Sequence, residues 1–228
     1  LTVGKATISN NSSQYGGGIA SWSTGTVTLN GTIIKNNTAL STGNWGNGGG
    51  ISVNKSGTLN VNGATITGNQ SLFGGGIGAY DTAKVNIDIA SSLNEKTTIS
   101  NNTVTGTGGA GLYGYGDSVF NIGDGVQITQ NHARGNDSGG GAIALANNAT
   151  LIAGKAILDG NDAQYGGGIA SWSTGTSQLN GTTISNNQAL STTGWGNGGG
   201  ISVNKSGTLN VNGATIEGNT SLYSGGIG

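Results

Sequence analysis

An aliphatic residue followed three positions later by Asn recurs eight times along the 228 residues. The pairs are Ile8 with Asn11, Ile34 with Asn37, Ile66 with Asn69, Ile99 with Asn102, Ile128 with Asn131, Leu158 with Asn161, Ile184 with Asn187, and Ile216 with Asn219. A Gly-rich step follows each pair and leads into a second aliphatic series: Ile19, Ile51, Ile77, Leu112, Ile143, Ile169, Ile201 and Ile227, at spacings of 32, 26, 35, 31, 26, 32 and 26 residues. A third run alternates with period two, as in Thr58 to Gly63, where Leu59 and Val61 face one way. The pattern predicts three short strands per repeat, since runs this short between Gly, Asn and Ser turns are not helices.

A unit of 26 residues cannot bury a core of its own, and stacked units can. The expected fold is therefore all-β: one continuous right-handed parallel β-helix over residues 1–228, with about eight coils of 26–35 residues. Handedness follows from the bias of parallel crossovers. At about 4.8 Å per coil the rod is roughly 34 Å long. The aliphatic of each pair points inward, and Asn11, Asn37, Asn69, Asn102, Asn131, Asn161, Asn187 and Asn219 are expected to form a structural ladder at one corner, amide to amide. The absence of Pro spares every backbone donor for the ladders.

A longer repeat overlies the coils. Residues 1–78 match residues 151–228 at 59 of 78 positions, while residues 79–150 are present once, giving a supra-repeat of 150 residues. Tyr15 to Thr26 returns unchanged at Tyr165 to Thr176, and Trp45 to Ile66 at Trp195 to Ile216.

The GGGI step (Gly16 to Ile19) and the IxxN step (Ile8 to Asn11) together resemble the paired GGA(I/L/V) and FxxN repeats of chlamydial polymorphic membrane proteins. More broadly, they resemble those of pectin-lyase-like β-helix adhesins and autotransporter passengers. The resemblance spans the whole chain, with Ile or Leu where the chlamydial family has Phe. It implies a right-handed β-helix on a bacterial or archaeal cell surface. It leaves activity open, because the same solenoid also carries polysaccharide lyases.

Composition removes several partners. Gly provides 48 residues and Asn 29, charged residues are 7%, and the net charge is −1. Eight basic residues against nine acidic ones give no electrostatic footprint for nucleic acid or an anionic membrane. No apolar run approaches the roughly 20 residues of a membrane span, so this segment is not expected to insert. Cys is absent, which excludes disulfides, thiolate metal sites and Cys nucleophiles and fits an exported protein.

Chemistry-bearing residues are sparse, and neither catalysis nor a cofactor is expected. Asp81 and Asp117 fall on neighbouring coils without a cation in the same part of the strands. Asp159 and Asp162 read as isolated surface charges, and His132, near Arg134, as a lone loop histidine. The stretch GYGDS at Gly114 to Ser118 is similar to a calcium-binding repeat but occurs once, so no metal site is expected.

The aromatic residues carry more. Three positions after the second aliphatic series, the outward residues read Trp22, Asn54, Tyr80, Tyr115, Ala146, Trp172 and Asn204, with Tyr113 one step earlier. Trp22, Tyr80, Tyr113, Tyr115 and Trp172 are expected to form an outer aromatic face suited to glycans, with Trp45 and Trp195 contributed by ten-residue insertions. Those insertions could instead fold over the rings. Tyr15, Phe73, Tyr165 and Tyr223, just before the Gly steps, read as corner packing. The threonines outward of the first series at Thr7, Thr65, Thr98, Thr183 and Thr215 are interrupted by Ile33, Gln127 and Ile157, which argues against an ice-binding lattice. The expectation is a non-catalytic adhesin or stalk segment that binds glycans or a host or neighbouring-cell surface. The alternative is a sheath or fibre subunit that associates end to end with its own copies. A chain starting without Met fits a processed or partial protein. A lyase or hydrolase, or an ice-binding protein, is a lesser alternative.

Overall fold

The computed structural model describes residues 1–43, 47–88, 95–192 and 198–228. Among them there are strands and turns and no helix, hence no helix long and apolar enough to cross a membrane. All strand pairs are parallel and lie in four sheets, two of eight strands and two of seven. The chain visits each sheet once per turn, so the architecture is a parallel β-helix. Coils are numbered one to eight by their ladder asparagine, Asn11 to Asn219.

Coil three shows the plan. Thr58–Asn62 lies in sheet one, Thr65–Thr67 in sheet two, Gln70–Ser71 in sheet three and Ile77–Ala79 in sheet four. Sheet three is the addition to the three strands expected. Its strands have two residues each, too short for alternation to register, and they follow directly on the ladder asparagine.

The expected register holds along the rod. Ile8, Ile34, Ile66, Ile99, Ile128, Leu158, Ile184 and Ile216 pair in one column of sheet two. Ile19, Ile51, Ile77, Leu112, Ile143, Ile169, Ile201 and Ile227 pair in sheet four. With Leu59, Val61 and their equivalents from sheet one they form one continuous core, apart from Ile227, which is 50% exposed, and most central members are completely buried. No coil could exclude water from these side chains without its neighbours.

The asparagine ladder runs through all eight coils. The Nδ2 of Asn69 donates to Asn102 Oδ1 at 3.0 Å and to the Ile34 carbonyl at 3.1 Å, and Asn102 Oδ1 also accepts the Asn69 backbone N–H at 3.0 Å. The same set recurs from Asn37 to Asn219. Both amide hydrogens and both carbonyl lone pairs are thereby used, which is why a fully buried Asn is tolerated. In every coil the residue before the ladder Asn is left-handed: Asn10, Asn36, Gly68, Asn101, Gln130, Gly160, Asn186 and Gly218, with φ between 53° and 65°. That conformation turns the chain at the corner and is least costly for Gly and Asn.

The Gly steps answer a close approach. A methyl group on Gly75 would run into the carbonyl oxygen of Ala110 in the next coil and lie 3.0 Å from that of Thr103.

Candidate functional site

The outer surface of sheet four carries the aromatic residues, and the structure divides them. Tyr80 is fully buried and Tyr113 is 7% exposed, so neither ring lies open on a strip. The cause is local. Gly78 has no side chain, and a Cβ there would lie 2.8 Å from the Tyr80 ring, which folds back into that space. The Tyr80 hydroxyl donates to the Asn47 carbonyl at 2.7 Å and accepts the Asn47 N–H at 3.1 Å. Phe73 stacks on Tyr113 with ring centroids 5.9 Å apart, and Tyr80 meets Tyr113 edge to face at 5.8 Å. Burial raises the pKa of both phenols above the ordinary tyrosine value, with each adding to the cost of ionising near another tyrosine.

Tyr115 and Trp172 remain half-buried at the surface. Ala146 pairs with Trp172 in register, and its small side chain leaves a gap between Tyr115 in coil four and Trp172 in coil six. The Trp172 ring covers Gly139, where a Cβ would collide with it, and meets Tyr165 edge to face at 6.4 Å.

Two adjoining hollows result. One, about 420 Å³, is lined by Leu72, Phe73, Gly106, Thr107, Tyr113 and Tyr115. The other, about 410 Å³, is lined by Thr107, Tyr113, Asp137, Ala146, Tyr165 and Trp172. Thr107 and Tyr113 belong to both, so the hollows make one groove parallel to the rod axis from coil three to coil six. Volumes of this size fall within the range of small-molecule sites. Leu72, Thr107 and Asp137 were not legible as site residues, because they lie in the loops between sheets three and four, whose course no periodicity fixes. Phe73 and Tyr165, read as corner packing, line the groove as well as packing a corner.

Trp22 stands apart. It is 43% exposed directly after the sheet-four strand Ile19–Ser21, edge to face with Tyr15 at 5.1 Å, five coils from Trp172. Trp45 and Trp195 lie outside the described residues.

The acidic residues do not converge. Asp81 accepts from the Lys55 backbone N–H at 3.3 Å, toward the preceding coil, and Asp117 accepts from Asn148 Nδ2 at 3.0 Å, toward the following one. Their carboxylates thus point away from each other along the axis. Asp159 binds Ser185 Oγ at 2.7 Å and Asn186 Nδ2 at 2.8 Å. The position of His132 corrects the sequence reading most directly. It lies on a strand of sheet three opposite Asp162, with its Nδ1 2.8 Å from the carboxylate, and Arg134 Nη1 reaches the same carboxylate at 2.7 Å. The cross-coil register creates this cluster, which neighbours in sequence do not show. Among the described residues no three His, Cys, Asp or Glu side chains are grouped to hold a metal ion.

A sequence model of the right-handed β-helix region matches residues 87–227. The chain belongs to the right-handed β-helix family. That match and the in-register parallel stacking fit a pectin-lyase-like β-helix, a fold that serves enzymes and non-enzymes alike. No curated protein and no solved structure gives a match. Within this β-helix the groove on sheet four joins concave shape, exposed ring surface and hydroxyl groups among the described residues.

Proposed function

We propose that this β-helix is a non-catalytic segment of an extracellular surface protein, an adhesin or stalk, and that the groove on sheet four binds glycans. The observation that carries the reading is the groove itself: Tyr115 and Trp172 flank it, Thr107 and Tyr165 offer hydroxyls, and polar and apolar surface are mixed along its lining. Sugar rings have apolar faces that lie on aromatic rings and hydroxyl rims that hydrogen-bond, so a mixed surface of this kind suits them. Binding without turnover is favoured by the divergence of Asp81 and Asp117 and by the absence of a paired acid and base in the lining.

A glycan array and an insoluble-polysaccharide pull-down test this, comparing the chain with a Tyr115→Ala, Trp172→Ala double variant of unchanged circular dichroism. Saturable binding lost in the variant supports the reading. Retention of neither protein on any glycan overturns it and moves the assignment to a purely structural rod.

A further inference from the structure

Twelve asparagines stand two residues before a Ser or Thr, the N-x-S/T spacing that N-linked glycosylation requires: Asn10, Asn11, Asn30, Asn36, Asn54, Asn69, Asn101, Asn136, Asn148, Asn180, Asn204 and Asn219. In a chain this rich in Asn, Ser and Thr the spacing alone selects nothing, but the fold separates the twelve. Asn11, Asn69 and Asn219 are rungs of the ladder, with Nδ2 engaged. Asn54 and Asn204 each donate to a serine two residues back at 2.8 Å, and Asn148 donates to Asp117 at 3.0 Å. After Asn30, Asn136 and Asn180 the hydroxyl is withdrawn: Thr32, Ser138 and Thr182 are completely buried and donate to main-chain carbonyls. Asn10, Asn36 and Asn101 remain, and all three hold the same place in the coil. Each is the left-handed residue before the ladder asparagine, with φ between 54° and 58°. The corner turns its side chain to solvent, the rung that follows points inward, and the Ser or Thr after the rung opens a strand of sheet three.

Asn36 and Asn101, which have a coil on either side, carry the inference. Both are exposed, Thr38 and Thr103 are half-buried, and none of these four side chains makes a hydrogen bond among the described residues. Gly68, the corner residue of the coil between them, has no side chain to crowd an attached sugar. Asn186 is the counter-example. It holds the same corner in coil seven with φ 53° and is exposed, but Gln188 stands in place of the threonine and Asp159 holds its Nδ2 at 2.8 Å. We infer that Asn36 and Asn101 are acceptor sites for N-linked glycans, placed at the corner between sheets two and three. This rests on the extracellular location proposed above, since the modification is one of exported chains. The donor is a lipid-linked oligosaccharide diphosphate. Nδ2 attacks its anomeric carbon, an N–C bond forms as the C–O bond to the diphosphate breaks, the lipid diphosphate leaves, and one amide proton passes to a base of the transferase. The unengaged hydroxyl of Thr38 or Thr103 is the group that the transferase reads.

The test incubates the purified, folded chain with an oligosaccharyltransferase of N-x-S/T specificity and a lipid-linked oligosaccharide, and maps glycopeptides by mass spectrometry. Chain isolated from its native source is mapped in parallel. Glycan is expected at Asn36 and Asn101 in both samples and is expected to be absent from Asn69 and Asn186. Thr38→Val should abolish the glycan at Asn36 and leave that at Asn101, and Thr103→Val should do the reverse, with circular dichroism unchanged in both. No transfer to Asn36 or Asn101, transfer to Asn186 at equal occupancy, or bare Asn36 and Asn101 on chain recovered from the cell surface would overturn the sites while leaving the location intact. Chain found only inside the cell and unmodified would instead overturn the extracellular reading, and this inference with it.

Discussion

Replacing Asn102 by Ala removes one rung from the middle of the buried ladder. The Asn102 side chain makes four hydrogen bonds: its Oδ1 accepts the backbone N–H and the Nδ2 of Asn69, both at 3.0 Å, and its Nδ2 donates to the Ile66 carbonyl at 3.0 Å and to Asn131 Oδ1 at 2.9 Å. Asn69 and Asn102 are both 0% exposed. Truncation strands two donors on Asn69, while Asn131 Oδ1 keeps the backbone N–H of residue 102 at 3.0 Å. At about 1–3 kcal/mol for each buried group left without a partner, the cost is about 4 kcal/mol. The same change at exposed Asn11 loses one donor to Asn37 Oδ1, which keeps the backbone N–H of residue 11, so it costs under about 1 kcal/mol. Urea unfolding of the two variants measures the difference, and hydrogen exchange at the Asn69 amide locates it. If Asn102→Ala were no more destabilising than Asn11→Ala and left the Asn69 amide as protected as in the wild type, the ladder would not be holding the coils together.

The same geometry predicts other outcomes. Gly75→Ala places a methyl group against the Ala110 carbonyl and should cost about 1–3 kcal/mol, whereas Gly4→Ala, with nothing within 4 Å, should be close to neutral in the same unfolding assay. Gln130→Asn gives the left-handed corner at φ 54° the residue that four other coils use, and should raise stability by about 0.5 kcal/mol. Because burial raises the Tyr80 and Tyr113 pKa values, the unfolded chain ionises first. Stability should be full below about pH 10 and fall as pH rises above it, measured by circular dichroism. In Tyr113→Phe that alkaline decline should be shallower.

Much of the architecture can be read from the chain because register in a solenoid is set by short-range signals repeated many times. An Ile and an Asn three residues apart fix an inward position and a corner, and eight repetitions place both columns without reference to the rest. Sheet three escaped notice because two-residue strands such as Gln70–Ser71 carry no period. The candidate site was only partly visible. Outward placement of Tyr80 followed from its position, but its burial depends on the empty space at Gly78 and on the Asn47 backbone of another coil. His132 and Asp162 are 30 residues apart, and only the pairing of successive coils shows that they touch. Loop residues such as Thr107 and Asp137 reach the groove through turns of irregular length, for which the sequence offers no ruler.

The central claim is binding without turnover on the outer face of sheet four. Ligand-observed NMR of the chain with soluble neutral, amino-sugar and acidic oligosaccharides in turn, followed by mass analysis of the recovered sugar, tests both halves together. The account predicts saturable transfer to the sugar that disappears in Trp172→Ala, with the oligosaccharide recovered at unchanged mass. Shortened or unsaturated products would show an enzyme, and absence of transfer to every sugar class would show that the groove is not a glycan site.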